Sequence, residues 1–152
     1  SSTASHAEGN ETTAYGGYSH AEGNQAKAIG DNSHAEGTQT RASGTDSHAE
    51  GNLTTASGSQ SHAEGSSTTA SGIGSHAEGS YTTASGLYSH AGGSNTIASN
   101  LYSFVHGADS RATGAGTIDV NTPFSNTHTS PLVAVISPSG VCITVCLEDN
   151  TT

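Results

Sequence analysis

The chain contains no methionine and no tryptophan, and only three of its 152 residues are basic: Lys27, Arg41 and Arg111. Each scarcity excludes something. A formal net charge of −10 repels phosphate backbones and anionic lipid, so nucleic acid is not the expected partner. No stretch approaches the roughly 20 apolar residues that a membrane-crossing helix needs, so no membrane insertion is expected. Apolar residues make up 30% of the chain, much of it alanine, which is too little for a conventional oily core. The lack of methionine and the start at Ser1 point to a processed or trimmed chain.

Serine, threonine, glycine and alanine dominate what remains, a composition that also suits a disordered low-complexity chain. Periodicity rejects that alternative. Ser-His-Ala-Glu-Gly begins at Ser5, Ser19, Ser33, Ser47, Ser61 and Ser75, always 14 residues apart. The series continues at Ser89 with Gly92 in place of glutamate, and at Ser103 with Phe104 and His106 in the His and Glu places. Eight repeats therefore run from Ser5 to about Ala115.

Each repeat divides into two similar heptads, as in Ser61-His62-Ala63-Glu64-Gly65 followed by Thr68-Thr69-Ala70-Ser71-Gly72. Alternation at period two predicts strands, with a glycine closing each stretch at a tight corner and Asn100 replacing that glycine once through its tolerance of left-handed backbone. Ser61 and Ala63 then face inward and His62 and Glu64 outward. On the second strand Thr68 and Ala70 face inward and Thr69 and Ser71 outward. Side chains this small predict a thin interior between two sheets, stabilised by stacking of coil on coil. At about 4.8 Å per coil, the repeats predict a rod on the order of 40 Å long.

These Ala-x-Gly heptads and serine-led strands resemble the head repeats of YadA-like trimeric autotransporter adhesins and of related bacterial and phage fibre proteins with 14-residue Ser-His-Ala-Glu-Gly repeats. The resemblance covers about three quarters of the chain and is more specific for architecture than for role. It implies an all-β, left-handed parallel β-roll, a β-solenoid of eight coils, with three chains around one axis displayed outside the cell or on its surface. In such heads the outward residues of the first strand pack against the other two chains. Those places usually carry Val and Ile, whereas here they carry His and Glu.

The resemblance therefore implies an axial polar seam of His6, Glu8, His20, Glu22, His34, Glu36, His48, Glu50, His62, Glu64, His76, Glu78 and His90, each imidazole donating to a carboxylate of its own or a neighbouring chain. Such a seam is expected to weaken at high pH, as histidine loses its proton, and at low pH, as glutamate gains one. A solvated ladder repeated by gene duplication is the plainer reading. Against it, the second-strand outward position drifts through Thr13, Lys27, Arg41, Thr55, Thr69, Thr83, Ile97 and Arg111, whereas the histidine position does not change until Phe104. A third reading is a metal string, with His20, His34, His48, His62 and His76 meeting their copies around the axis. No metal or other cofactor is the primary expectation.

After Gly116 the composition turns apolar, with Ile118, Val120, Phe124, Leu132, Val133, Val135, Ile136, Val141, Ile143, Val145 and Leu147 within 30 residues. Residues 1–115 are thus expected to form the roll, and 116–152 a small β-rich cap or assembly module. Runs 131–137 and 141–147 flank Ser-Pro-Ser-Gly and predict a hairpin. Cys142 and Cys146 cannot pair within one extended strand, because four strand residues span roughly 13 Å. They either link neighbouring chains into a covalent ring or remain free thiols.

No catalytic residue emerges. Ser61 alternates away from His62 and Glu64, so nucleophile and base would not meet, and an enzyme is not expected. The expected function is a structural extracellular fibre or filament subunit that assembles with itself end to end or displays an adhesive surface toward a host-surface or matrix target. A receptor-binding adhesin or phage tail-fibre head is the alternative. A hydroxyl array for binding ice, from Thr55, Ser57, Thr69, Ser71, Thr83 and Ser85, is a third, although Lys27, Arg41 and Arg111 interrupt it.

Overall fold

The structure is a computed structural model that describes residues 3–121 and the strands Leu132–Ser137 and Gly140–Val145. Its described residues are all β, with no helix. Each 14-residue repeat forms one coil, with a five-residue strand such as His62–Ser66 followed by a two-residue strand such as Thr69–Ala70. Eight coils stack to give a β-solenoid with two parallel sheets, one of nine long strands and one of eight short strands. The ninth long strand, Ile118–Asn121, pairs with Phe104–Ala108 and carries the long sheet past the eighth repeat.

Equivalent positions meet from coil to coil: His62 lies opposite His76, Ala63 opposite Ala77 and Glu64 opposite Glu78. The register is fixed because a slip of one residue would move alanine outward and histidine inward. The interior has the expected small side chains. Ala21, Ala35, Ala49, Ala63, Ala77 and Ala91 from the long strands are fully buried, as are Ala28, Ala42, Ala56, Ala70, Ala84 and Ala98 from the short ones. Val105 is the largest buried side chain of the described coils. Buried serines satisfy their hydroxyls locally, Ser61 Oγ donating to the Gly58 carbonyl at 2.6 Å and Ser47 Oγ to that of Gly44 at 2.6 Å. Thr40, Thr54, Thr68 and Thr82 fill the remaining space with their methyl groups, and their buried hydroxyls have no hydrogen bond within the chain.

The corners are in part the expected glycine turns: the glycine closing each His-Ala-Glu-Gly stretch has positive φ, as Gly65 does at 106°. The left-handed backbone also recurs at non-glycine positions, among them Gln25, Gln39, Leu53, Ser67, Tyr81 and Asn95, with φ between 54° and 58°. Each such residue donates its N–H to the preceding coil, as Leu53 does to Thr38 O at 2.9 Å. That inter-coil bond holds the unfavourable conformation in place. The glycine closing the second strand has a different task. A Cβ at Gly58 would lie 2.0 Å from the Gly72 carbonyl oxygen of the next coil, so glycine is needed there for close backbone approach.

Asn100 therefore does not take that place through left-handed tolerance, since its φ is not positive. Instead the stack loosens beside it. The bond from Ser99 N to Ala112 O is 3.2 Å, against 2.9 Å for the equivalent bond from Ser85 N to Ala98 O, and the Asn100 side-chain amide donates to the Thr113 carbonyl.

Towards the carboxyl end, Leu132–Ser137 pairs antiparallel with Gly140–Val145, Leu132 opposite Val145 and Ser137 opposite Gly140. Cys142 falls in the second of these strands, opposite Val135. Cys146 lies outside the described residues, and with it the question of its pairing.

Candidate functional site

Strand alternation with alanine inward projects one histidine and one glutamate from the long sheet in each of the first six coils. These side chains are half-buried by their neighbours above and below; His48 and Glu50, for example, retain 36% and 34% of their side-chain exposure. Coil spacing sets imidazole on imidazole. The rings of His34, His48, His62 and His76 stack at 4.7–4.8 Å with interplanar angles of 2–4°. The column breaks at both ends, the angle rising to 58° between His6 and His20 and to 86° between His76 and His90.

Beside this column runs a row of carboxylates. In the first four coils each imidazole faces the glutamate of its own coil, with Nε2 3.5 Å from the carboxylate in His34–Glu36 and 3.7 Å in His48–Glu50. The pairing then shifts by one coil: His76 faces Glu64 at 3.5 Å and His90 faces Glu78 at 3.4 Å. Gly92 accounts for the shift. With no carboxylate in its own coil, His90 turns to Glu78, and His76 turns in sequence to Glu64. Between the two regimes, His62 has no ion pair within 4.0 Å among the described residues.

Proximity here is not hydrogen bonding. The Nε2 atoms of His20, His34, His48, His62 and His76 are buried yet make no hydrogen bond within the chain. His34 is held below the ordinary value of 6.5 by burial first and then by the His48 and His20 charges, with Glu36 and Glu22 opposing. Burial and then His76 lower His90 likewise, against the opposing pull of Glu78. These two imidazoles therefore favour the neutral form, and the imidazolium donors expected along the seam are disfavoured at both positions.

The column ends in apolar residues. Phe104 stacks on His90 at 4.7 Å and 11°, Ile118 follows it in register, and Val120 succeeds His106 in the glutamate row. All three are exposed, Val120 to 61%.

The seam residues from His6 to His90 thus share one face, as alternation predicts. His34, Glu36 and His48 offer ligand atoms within 4.8 Å of one another inside a single chain, as do His48, Glu50 and His62, and Glu64, His76 and Glu78. Imidazole and carboxylate atoms 3.5–3.7 Å apart approach the spacing of about 3.4 Å between neighbouring ligands of a tetrahedral zinc ion. The second imidazole does not converge, because parallel stacked rings direct their lone pairs side by side. Thermal melting is accordingly expected to be the same with and without EDTA; a clear fall on chelation would show that the rings tilt to share an ion.

The serine hydroxyls point into the roll, away from the imidazoles, and donate to glycine carbonyls. On the short sheet Thr55, Thr69 and Thr83 form one column, which Lys27 and Arg41 continue as exposed cations. One feature escaped sequence reasoning: along the corners Gln39 Nε2 donates to Gln25 Oε1 at 2.9 Å, and Gln25 Nε2 to Glu11 Oε2 at 2.8 Å. The signal was present as amide-bearing residues spaced by 14.

No family model and no curated protein matches this chain. Its functional reading therefore rests on the geometry of these faces and on the resemblance of its repeats.

Proposed function

We propose that the chain is a non-enzymatic, cofactor-free structural segment of an extracellular or cell-surface fibre, in which three copies of a left-handed roll pack their long-sheet faces around a common axis. The observation that carries this reading is the outward face of the long sheet, where a column of buried but unbonded imidazole nitrogens is followed by uncovered Phe104, Ile118 and Val120. A buried polar atom without a partner is costly, and a second protein surface would supply both the missing partners and the apolar cover. The core gives a second reason. A roll filled by Ala, Ser and Thr buries little apolar area per residue, so association would add what the single chain lacks.

The resemblance to YadA-like heads points the same way, and from such a trimer either end-to-end assembly or adhesive display follows. A receptor-binding head, of an adhesin or a phage tail fibre, is the second reading, favoured by the adjacent exposed cations Lys27 and Arg41 on the short-sheet side.

Light scattering on a sizing column at neutral pH tests the assembly. Three chains of 15.0 kDa, about 45 kDa, are expected, or large species if trimers join end to end. A clean 15.0 kDa monomer would return the column to a solvated face and overturn the reading.

A further inference from the structure

In the outward column of the short sheet, coils four to six carry threonine, whereas coils two and three carry adjacent cations. Lys27 and Arg41, two of the three basic residues of the chain, occupy adjacent rungs of the same column. Both are exposed, and neither has a carboxylate within 4.0 Å among the described residues. Their backbones lie one strand spacing apart, about 4.8 Å, so the two like charges repel each other. An anion between them would relieve that repulsion.

Their surroundings restrict what that is. Lys27 and Arg41 line an open cleft of about 580 Å³ together with Gln25, Gln39, Leu53 and Thr55. The Gln25 and Gln39 amides are already aligned by the chain of bonds that ends on Glu11, so the negative charge of Glu11 is engaged by an amide at that end of the cleft. Leu53, half exposed, adds an apolar patch in the next coil of the corner column, and Thr55 a hydroxyl beside Arg41. Coils five and six carry neither the cations nor the glutamines, the corresponding places holding Thr69 and Thr83, and Ser67 and Tyr81; Arg111, in the eighth coil, stands in the same column without a second cation on the adjacent rung.

We infer that this cleft is a binding site for an acidic saccharide, a sugar bearing one carboxylate. The carboxylate would bridge the Lys27 ammonium and the Arg41 guanidinium, whose forked N–H groups suit a planar carboxylate. The amides and the Thr55 hydroxyl offer hydrogen bonds to sugar hydroxyls, and Leu53 a surface for a ring's C–H face. A polyanion is disfavoured, because a net charge of −10 surrounds a spot with only two cations. The inference deepens the adhesive branch of the proposed function by naming a target class, and it does not require three chains.

Amide NMR on the full chain, titrated separately with sialyllactose, lactose and inorganic sulfate, tests it. Sialyllactose is expected to shift resonances of residues 25–27, 39–41 and 53–55 with a dissociation constant on the order of 1 mM. Lactose should leave them in place, and sulfate should act at least about tenfold more weakly, lacking the sugar contacts. The double variant Lys27→Thr with Arg41→Thr takes the residue that the column already carries at 55, 69 and 83, so it should keep its melting temperature and lose the response. Absence of localised shifts, equal strength for sulfate, or a response that survives in the double variant would each overturn the site. Mass measured on the same sample separates the two ideas: a monomer that binds keeps the cleft and loses the trimer, and a trimer that does not bind does the reverse.

Discussion

Gly58→Ala is expected to cost on the order of 3–5 kcal/mol and to split the stack into two halves that melt separately. An added Cβ would sit 2.0 Å from the Gly72 carbonyl oxygen and 2.5 Å from its carbon, both backbone atoms that cannot rotate aside. Relief requires the two coils to separate at that corner. Separation stretches the bonds from Ser57 N and Gly58 N to Ala70 O, now 2.9 and 3.3 Å. In a structure where each coil contacts only its neighbours, one broken interface interrupts propagation along the whole rod. The entropy that alanine removes from the unfolded chain, worth about 0.4–1 kcal/mol, opposes this but is too small to reverse it.

Gly17→Ala is the matched control. Its added Cβ meets only the Asp31 carboxylate oxygen, at 3.5 Å, so its effect should stay within about 0.5 kcal/mol. Urea and thermal unfolding followed by circular dichroism would read both. A Gly58→Ala protein that melts as the parent does would show that the coils are not packed as closely as the structure has them.

The contrast between these two glycines marks where the sequence was legible. A period of 14 and alternation within each strand suffice to assign Ala63 to the interior and His62 to the surface, because side-chain direction follows from strand geometry alone. They also suffice to bring the seam residues onto one face. Corner chemistry was not legible in the same way. A glycine signals either positive φ or close approach; Gly65 has the first at 106°, Gly58 has only the second, and Ser67 and Leu53 carry left-handed turns that no glycine marks. No local propensity announces leucine at φ 57°; the bond from Leu53 N to Thr38 O, fixed by the coil below, imposes it. The shift of the ion pairs at Gly92 was unreadable for the same reason. One missing carboxylate redirects His90, and that redirects His76, a cooperative choice between two coils that no single repeat contains.

Acidification should destabilise the fold, and mild alkali should leave it unchanged. His34 and His90 are both held below 6.5 in the folded chain, so as pH falls the unfolded chain takes up protons first. Folding then carries fewer bound protons than unfolding, and stability rises with pH across that window. The contribution is fully present above 6.5 and is lost as pH falls through the lowered folded values. The physical cause lies in the column: burial disfavours each charged ring, and charging His34 sets it against His20 and His48, with the His34 and His48 rings only 4.7 Å apart. Glu36 and Glu22 soften the penalty at His34, and Glu78 does so at His90, without removing it.

Melting temperature is thus expected to fall between about pH 7.5 and pH 5 and to hold between about pH 7.5 and pH 9, so the alkaline weakening expected of an imidazolium seam should not appear from these residues. Replacing His34 by phenylalanine separates charge from packing, because Phe104 already stacks on His90 at 4.7 Å in the same column. The His34→Phe protein should melt as the parent does at neutral pH and lose less on acidification. A profile flat from acid to alkali, or one that falls on the alkaline side, would remove the neutral-stack account. Where three copies cover this face, the imidazoles lie deeper still and desolvation grows, so a trimer should be more sensitive to acid than the single chain, and its mass should fall over the same window in which it begins to melt.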